Sequence, residues 1–400
     1  MTTDQPVKKV QMTQGIFTEE LIAEMRAKTG LILRIDQGIN NEEATRMAIL
    51  KFADGIGDPN PLWRNEEYAK TTRFGSIVAP PSWVFSVFAG INFGWKGLGG
   101  FHSSTDAEFY KPILRNDKIK PQCKFNGFDG PKPSSFAEKV IVNKKENTYR
   151  NQNDELVAKV NWFVTRMERL KARQKGKYSA MQLPHQWNEK ELKQIEEEIL
   201  AEEPRGSNIR YWEDVVVGEN LQRITKGPLG MTDEIAYLIG GGAPIARLAA
   251  HGVMLRNYQT HPAWAYRDPD TGALEPIFSV HYNKAAAFAQ GGLPLPYDIG
   301  FQRHTWQMHL LTNWMGDDGW LKKSHVEFRK FVYFSDVVRL EGKVVKKYIA
   351  EYGEPCVDIE TTAINQRNEL VMPGSATVIL PSRDVHTFPL DKRLPVKNSS

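Results

Sequence analysis

Few side chains in this sequence can move a proton near neutral pH or hold a metal: its 400 residues include nine histidines and two cysteines. Imidazole is the side chain whose ordinary pKa lies closest to neutrality. His304 and His309 stand five residues apart, whereas two ligands on one helix face need a spacing of three or four, so they do not read as a metal pair. His251 and His261 fall in a stretch rich in Pro, Asp and aromatic residues and read as loop packing. Cys123 and Cys356 are too few for a disulfide framework and too far apart for a zinc motif, which points to a reduced compartment. Gly240-Gly241-Gly242 is not followed by Gly-Lys-Ser/Thr and sits in no dinucleotide fingerprint, so neither ATP nor NAD is implied. Asp58 lies in Gly57-Asp58-Pro59-Asn60-Pro61, a run of turn formers. Its carboxylate either braces that turn or is presented by it. Five residues on stands Trp63, whose indole N–H only donates and cannot serve as a base. His281 could serve as a base, or pack as a core histidine at a strand end.

These groups sit in a chain of ordinary globular composition, with 41% apolar and 25% charged residues. That rules out disorder throughout, and the length suits two or three domains. The net charge of +4 is too small and too spread for the basic stripe of a nucleic-acid binder. The polar start of the chain shows no signal peptide, and a cytoplasmic setting is expected. The uncharged stretch 74–95 is long enough to suggest a membrane span, but Pro80, Pro81, Gly90 and Gly94 interrupt it, so a buried core helix is expected instead.

An internal repeat organises the chain. Glu108-Phe109, Lys111 and Asp117 recur as Glu327-Phe328, Lys330 and Asp336, 219 residues later. Residues 151–157 echo 365–371 at an offset of 214, and residues 63–69 parallel 281–287 at an offset of 218. Three segments in the same order at nearly one offset indicate a duplicated domain. The expected layout is a tail at 1–15, a first domain at 16–170, a charged exposed connector at 171–205 with a helix at 189–203, a second domain at 206–383 containing an inserted loop at 242–280, and a tail at 384–400. Each half reads as helices, a loop, a central apolar helix and then β-branched and aromatic strands. In the first half helices are expected at 18–28, 42–53 and 82–93, with strands at 136–142 and 156–167. In the second the helix is expected at 299–315, with strands at 337–345 and 376–380. One long helix followed by antiparallel strands gives an α+β domain whose sheet wraps around the helix.

Around Asp58 the motif continues as Phe52-Ala53, Gly57-Asp58-Pro59-Asn60-Pro61-Leu62-Trp63, Asn65 and Ala69. It resembles the MaoC-like dehydratases and R-specific enoyl-CoA hydratases, whose signature is an aromatic-Ala pair, then Gly-Asp-x-Asn-Pro-x-His. The pattern is similar to a fused double hot-dog with an N-terminal dehydratase-like domain. The resemblance implies reversible hydration of an acyl-CoA thioester without a cofactor, and a homodimer. No nucleic-acid or membrane partner is implied. In that chemistry an Asp and a His converge on one water, and a helix N-terminus holds the thioester oxygen.

The sequence departs from the signature in both halves. The first keeps Asp58 but has Trp63 at the His position. The second keeps His281, with Asn283 and Ala287, but has Gly241 near the Asp position and about 39 residues between them. The favoured reading takes His281 as base, with an acid from Glu275, Asp268, Asp270 or Asp298. A second has Asp58 reach His281 across the two halves, although a two-fold duplication puts equivalent loops at separate sites. A third keeps the fold without the hydration, leaving an acyl-CoA-binding or assembly subunit, and thioester hydrolysis is a further alternative. The N–H groups near Tyr297, Asp298 and Gly300 would hold the thioester oxygen. Arg303, Arg329, Lys330 and Arg73 would meet CoA phosphates, and Trp83, Trp95 and Trp306 would line an acyl tunnel.

Overall fold

The computed structural model describes residues 12–175, 181–242 and 248–384. In the first half, α1 (Glu19–Ala27), α2 (Arg46–Ile56), α3 (Glu66–Thr71) and the short α4 (Val84–Val87) precede four strands. These are β1 (Gly99–Phe109), β2 (Lys120–Pro133), β3 (Lys139–Arg150) and β4 (Leu156–Met167). Side-chain oxygens of Thr18, Thr45 and Asn65 accept from the amides of Leu21, Ala48 and Tyr68, so local sequence sets where these helices begin. Helices α5 (Arg169–Lys175) and α6 (Glu189–Leu200) belong to the connector.

The second half runs β5 (Ile224–Lys226), α7 (Met231–Ile239), α8 (His251–Thr260), the small hairpin β6 (Ala265–Arg267) and β7 (Leu274–Pro276), α9 (Lys284–Gly291) and α10 (Gly300–Met315). Strands β8 (Trp320–Glu327), β9 (Val338–Ile349), β10 (Pro355–Asn365) and β11 (Leu370–Ile379) complete it. The expected α+β double hot-dog is the architecture found. One nine-stranded antiparallel sheet runs β2-β3-β4-β1-β8-β11-β10-β9-β5, and the two halves join edge to edge through β1 and β8.

The duplication is visible in the geometry. Asn65 and Asn283 both cap short helices, α3 and α9. Asp154 and Asn368 both take positive φ, at 58° and 57°. Asp117 accepts the Leu114 amide as Asp336 accepts that of Tyr333, and Gln152 and Gln366 reach those same two aspartates. Across the joint, Asp106 pairs with His325, its own counterpart 219 residues on, so the pseudo-two-fold axis passes through that pair. Their side chains are hydrogen-bonded and half-exposed.

The two central helices differ. α10 is buried from Phe301 to Met315, as its many-sided apolar pattern requires. Some of its buried polar groups form a chain: His304 Nε2 meets Ser324 Oγ at 2.8 Å, Ser324 donates to Gln307, and Gln307 donates to Thr361. The first-half helix was expected at 82–93. A 3-10 turn at Pro81–Trp83 and α4 end at Val87, and the chain leaves helical geometry at Phe88. Gly90, at φ 147°, lies where a Cβ would be 2.1 Å from the Trp162 ring, so close packing of backbone on indole replaces the missing turns. Smaller differences are at element ends: β3 begins at Lys139 rather than 136, and β11 at Leu370 rather than 376. The connector is not merely exposed, since Ile195 is buried and Glu198 pairs with Arg339. Most of the expected tails, 1–11 and 385–400, lie outside the described residues, as do 243–247 of the inserted loop.

Candidate active site

A cavity of about 610 Å³ opens beside the start of α10 and runs into the first half, into the space that the shortened α4 leaves. His281 lines it, at the end of a 3-10 turn (Ile277–His281) that is the counterpart of the one ending in Trp63. The His281 Nδ1 lies 2.8 Å from the Tyr297 carbonyl oxygen, which can only accept. Nδ1 therefore carries the proton and Nε2 the lone pair. Burial, chiefly, pushes the imidazole down to about 4, so it is neutral at physiological pH.

Asp298, Ile299 and Gly300 line the same cavity. Asp298 is buried and grips Arg303 with both oxygens: Arg303 Nε donates at 2.6 Å, and an Nη donates to the other oxygen. Arg303 also donates to the carbonyls of Lys330 (2.7 Å) and Val371 (3.2 Å). The carboxylate thus stands as a fixed anion close enough to His281 to favour its charged form. The first-turn amides of α10 have no partner within the helix, so an oxygen developing negative charge can be held there. A Cβ on Gly300 would lie 2.4 Å from His102 Nδ1, so only glycine allows the helix start to approach that ring.

The other sequence candidates are distributed as follows. Tyr297 lines the cavity and supplies the carbonyl that fixes His281. Arg329 and Lys330 line its exposed side and pair with Glu327 and Glu369. Glu275 sits on β7 with its carboxyl pushed up by burial, near Asp268, and is not part of the cavity wall. Asp268 braces the 268–273 turn and accepts from Asn283 at 2.7 Å. The Asp270 amide is one of the donors to that brace. Trp95 lines the cavity, while Trp83 and Trp306 are packed in the core. Arg73 stands 3.9 Å from Asp318, away from the site.

Asp58 and His281 are not brought together. Asp58 is buried, accepts from the Asn60 amide at 3.0 Å and the Trp63 indole at 2.9 Å, and lies 3.7 Å from His309 on α10. A Glu202 carboxylate oxygen, from just beyond α6, lies against the same ring nitrogen of His309, and Lys226 Nζ lies 2.9 Å from the other. The nearby opening around Trp63 and Thr312 holds only about 40 Å³. The first-half loop is thus closed by its Trp and by the connector, whereas the second-half loop faces an open cavity.

Sequence reasoning missed three groups. His102, on β1, lines the cavity 4.5 Å from Phe301, and its repeat position carried no signal. Arg166 and Arg169, at the end of β4 and the start of α5, were placed near the connector but line the cavity. Glu234, in α7, is buried with neither carboxylate oxygen hydrogen-bonded, and burial, then the Asp298 charge, push its carboxyl up. Its amphipathic helix context gave no hint of that. Among the described residues no group of His, Cys, Asp or Glu is placed to hold a metal ion, and no helix is long and apolar enough to cross a membrane.

Residues 36–160 match the family model of the FAS1-like dehydratase domain region. A probable enoyl-CoA hydratase alpha subunit of Thermomonospora curvata is 28% identical over 146 residues, covering 32% of this chain and 46% of that protein. A UPF0336 protein of Streptomyces avermitilis is 40% identical over 45 residues, 11% of this chain and 30% of its own length. The chain therefore spans less than half the length of these curated relatives. Among solved structures, a MaoC-like dehydratase superposes with a TM-score of 0.59 at 15% identity, covering 90% of this chain and 99% of the other. A MaoC domain protein dehydratase from Chloroflexus aurantiacus gives 0.54 at 14% identity, with 89% and 96% covered. A double hotdog-fold protein of Mycobacterium tuberculosis gives 0.51 at 11%, with 88% and 96% covered.

Proposed function

We propose that this double hot-dog chain, whose first half carries a dehydratase domain region and whose whole resembles the MaoC-like dehydratases, is a cofactor-free hydro-lyase that reversibly hydrates an enoyl-CoA thioester at one site per chain. The observation that carries the reading is a neutral imidazole, proton fixed on Nδ1, in the wall of a large cavity at the N-terminus of a buried helix. His281 Nε2 takes a proton from water as the water oxygen bonds the β-carbon of the substrate. Electron density moves through the double bond to the thioester oxygen, which the first-turn amides of α10 hold. The imidazolium then returns its proton to the α-carbon, so one water is added and nothing else is consumed. Asp298, bound on both oxygens by Arg303, favours the imidazolium in transit.

The acyl group extends from Gly300 toward the first half, where α4 stops short. CoA lies outward, with its phosphates toward Arg329 and Lys330, whose side chains remain half-exposed. A cytoplasmic enzyme that pairs as a homodimer is the setting we favour, and sedimentation tests the pairing. The test is hydration of a panel of trans-2-enoyl-CoA thioesters by wild type and His281→Ala, with circular dichroism to confirm folding. Loss of turnover in the variant supports the reading. Equal turnover removes His281 from the mechanism, release of free CoA points to thioester hydrolysis, and binding without turnover points to a carrier role.

A further inference from the structure

The far end of the cavity is lined by Trp162, Val164 and Arg166 of β4, which pairs with a β3 row of unusual polarity that is not itself part of the wall. Along β3 the inward positions include Asn143, Lys145 and Asn147, where a sheet wrapped on a core ordinarily carries apolar residues. Register sets Lys145 opposite Trp162 and Asn143 opposite Val164 on β4, with Arg166 two residues beyond. Part of this polarity holds the loop that replaces the missing helix turns. Tyr149 donates to the Phe88 carbonyl, Trp95 Nε1 to Asn143 Oδ1 at 3.2 Å, and Arg166 to Asn92 at 2.6 Å.

Four donors are left over. Lys145 Nζ, Trp162 Nε1, Arg166 Nε and Asn143 Nδ2 are buried with no hydrogen-bond partner. Their residues are 1%, 5%, 4% and 0% exposed. Lys145 Nζ lies 4.1 Å from the Trp162 ring centroid. Neither Lys145 nor Arg166 forms an ion pair among the described residues, and Arg169 beside them bonds only neutral oxygens, of Gln290, Thr13 and Gly97. Trp162 and Arg166 reach the cavity wall. The line from the helix start to this cluster runs from Gly300 past His102, whose ring is 5.9 Å from that of Trp162.

Four orphaned donors against one orphaned acceptor in the row, Asn147 Oδ1, with no counter-ion for Lys145 or Arg166 among the described residues, call for a further acceptor. A buried amine is costly to leave unbonded, and a hydrocarbon end would leave it so. A carboxylate offers two acceptor oxygens that can satisfy several of these donors at once. We propose that the Lys145–Trp162–Arg166 cluster is the distal subsite of the acyl pocket and takes a carboxylate at the far end of the acyl group, so that the substrate is an ω-carboxy acyl thioester. The proposal rests on the thioester reading of the His281 site.

The test measures binding by calorimetry for pairs of saturated acyl-CoA thioesters of matched length, with and without an ω-carboxylate, to wild type and Lys145→Met. Free mono- and dicarboxylic acids of the same lengths are run beside them. Wild type should favour the ω-carboxylate by about tenfold or more. Lys145→Met should bring that ratio near one while holding the plain chain at least as well. Its melting temperature should equal or exceed that of wild type, because an unbonded buried amine has been removed. A purely structural lysine would instead lower it. Should wild type show no preference, or Lys145→Met keep it, the cluster serves only buried water and the proposal falls. If the thioesters fail to bind but the free diacids still depend on Lys145, the subsite stands and the thioester reading falls. If neither acids nor thioesters bind, the subsite proposal falls too.

Discussion

The Asp298–Arg303 pair offers the most demanding test of how the site is held. Arg303 has four hydrogen bonds: two to the Asp298 carboxylate and two to the carbonyls of Lys330 and Val371. Asp298→Asn removes the counter-charge but leaves the guanidinium buried with only neutral acceptors, the Asn amide oxygen and the two carbonyls. Breaking a buried pair from one side typically costs about 3–5 kcal/mol, since the remaining charge is uncompensated. At about 1.4 kcal/mol per factor of ten, the folding constant falls by at least about a hundredfold. Arg303→Met strands the carboxylate in the same way, and it frees the two carbonyls. The double variant Asp298→Asn/Arg303→Met leaves no buried charge and should lose much less than the sum of the singles, by about 2 kcal/mol or more. Urea unfolding of all four proteins completes the cycle. Hydration rates should separate from stability. Both variants that lack the carboxylate should be slow even where they are folded, because the imidazolium formed at His281 has lost its nearby anion. Additive stabilities, or a fully active double variant, would refute the argument that this pair fixes the helix start and serves the imidazole.

Four further outcomes follow from the geometry. His281→Ala should lower hydration by about 10²–10⁴, the range of a positioned acid–base group. Because burial lowers the His281 pKa to about 4 from its usual value, the base stays neutral through pH 6.5, and the acid limb of kcat/KM should fall near pH 4. An inflection near 6.5 would refute that placement. Trp63→His, which restores the hydratase signature around Asp58, should create no second site when tested in the His281→Ala background, because Glu202 and Lys226 already occupy His309 and the opening is small. Its stability loss should not exceed the about 3–5 kcal/mol of a buried Trp truncation. Glu234→Gln should stabilise the fold increasingly as pH rises. The carboxyl is pushed up in the folded state, so the folded chain binds the extra proton, and wild type loses stability from about the ordinary Glu value upward, whereas Gln does not titrate. A stability difference between the two that is flat from pH 4 to 8 would count against the burial of this group.

Much of the architecture was legible because it repeats. Matching turn chemistry at Asp117 and Asp336, and at residues 151–157 and 365–371, is local, and the same hydrogen bonds recur in both halves. The central helix of the second half was legible because Trp306, Met308, Leu310 and Leu311 can only be buried together. The shorter first-half helix was not. Nothing at residues 88–93 breaks a helix strongly enough to reveal that Trp162, seventy residues on, would take its place. The site was legible in the loop that carries His281 and hidden in its depth. His102 and Arg166 are brought to the cavity, and Lys145 against the Trp162 ring, by strand register, and an isolated polar residue on a strand does not declare which face it uses. The alternation of β3 could have raised the question, since Asn143, Lys145 and Asn147 share parity with the apolar Ile141 and Tyr149.

The joint between β1 and β8 has a consequence for how such a chain can change. If two identical subunits met along these edges, whatever residue stood on the symmetry axis would face itself, acid against acid or imidazole against imidazole. Like charges so placed repel. Fusing both copies into one polypeptide removes that constraint, and Asp106 with His325 is the result: unlike partners on one axis, with the imidazole pKa raised by the acid it faces. The same liberty lets one lobe shorten its helix to make room while the other keeps an imidazole in the cavity wall, a division that a symmetric pair has no means to encode.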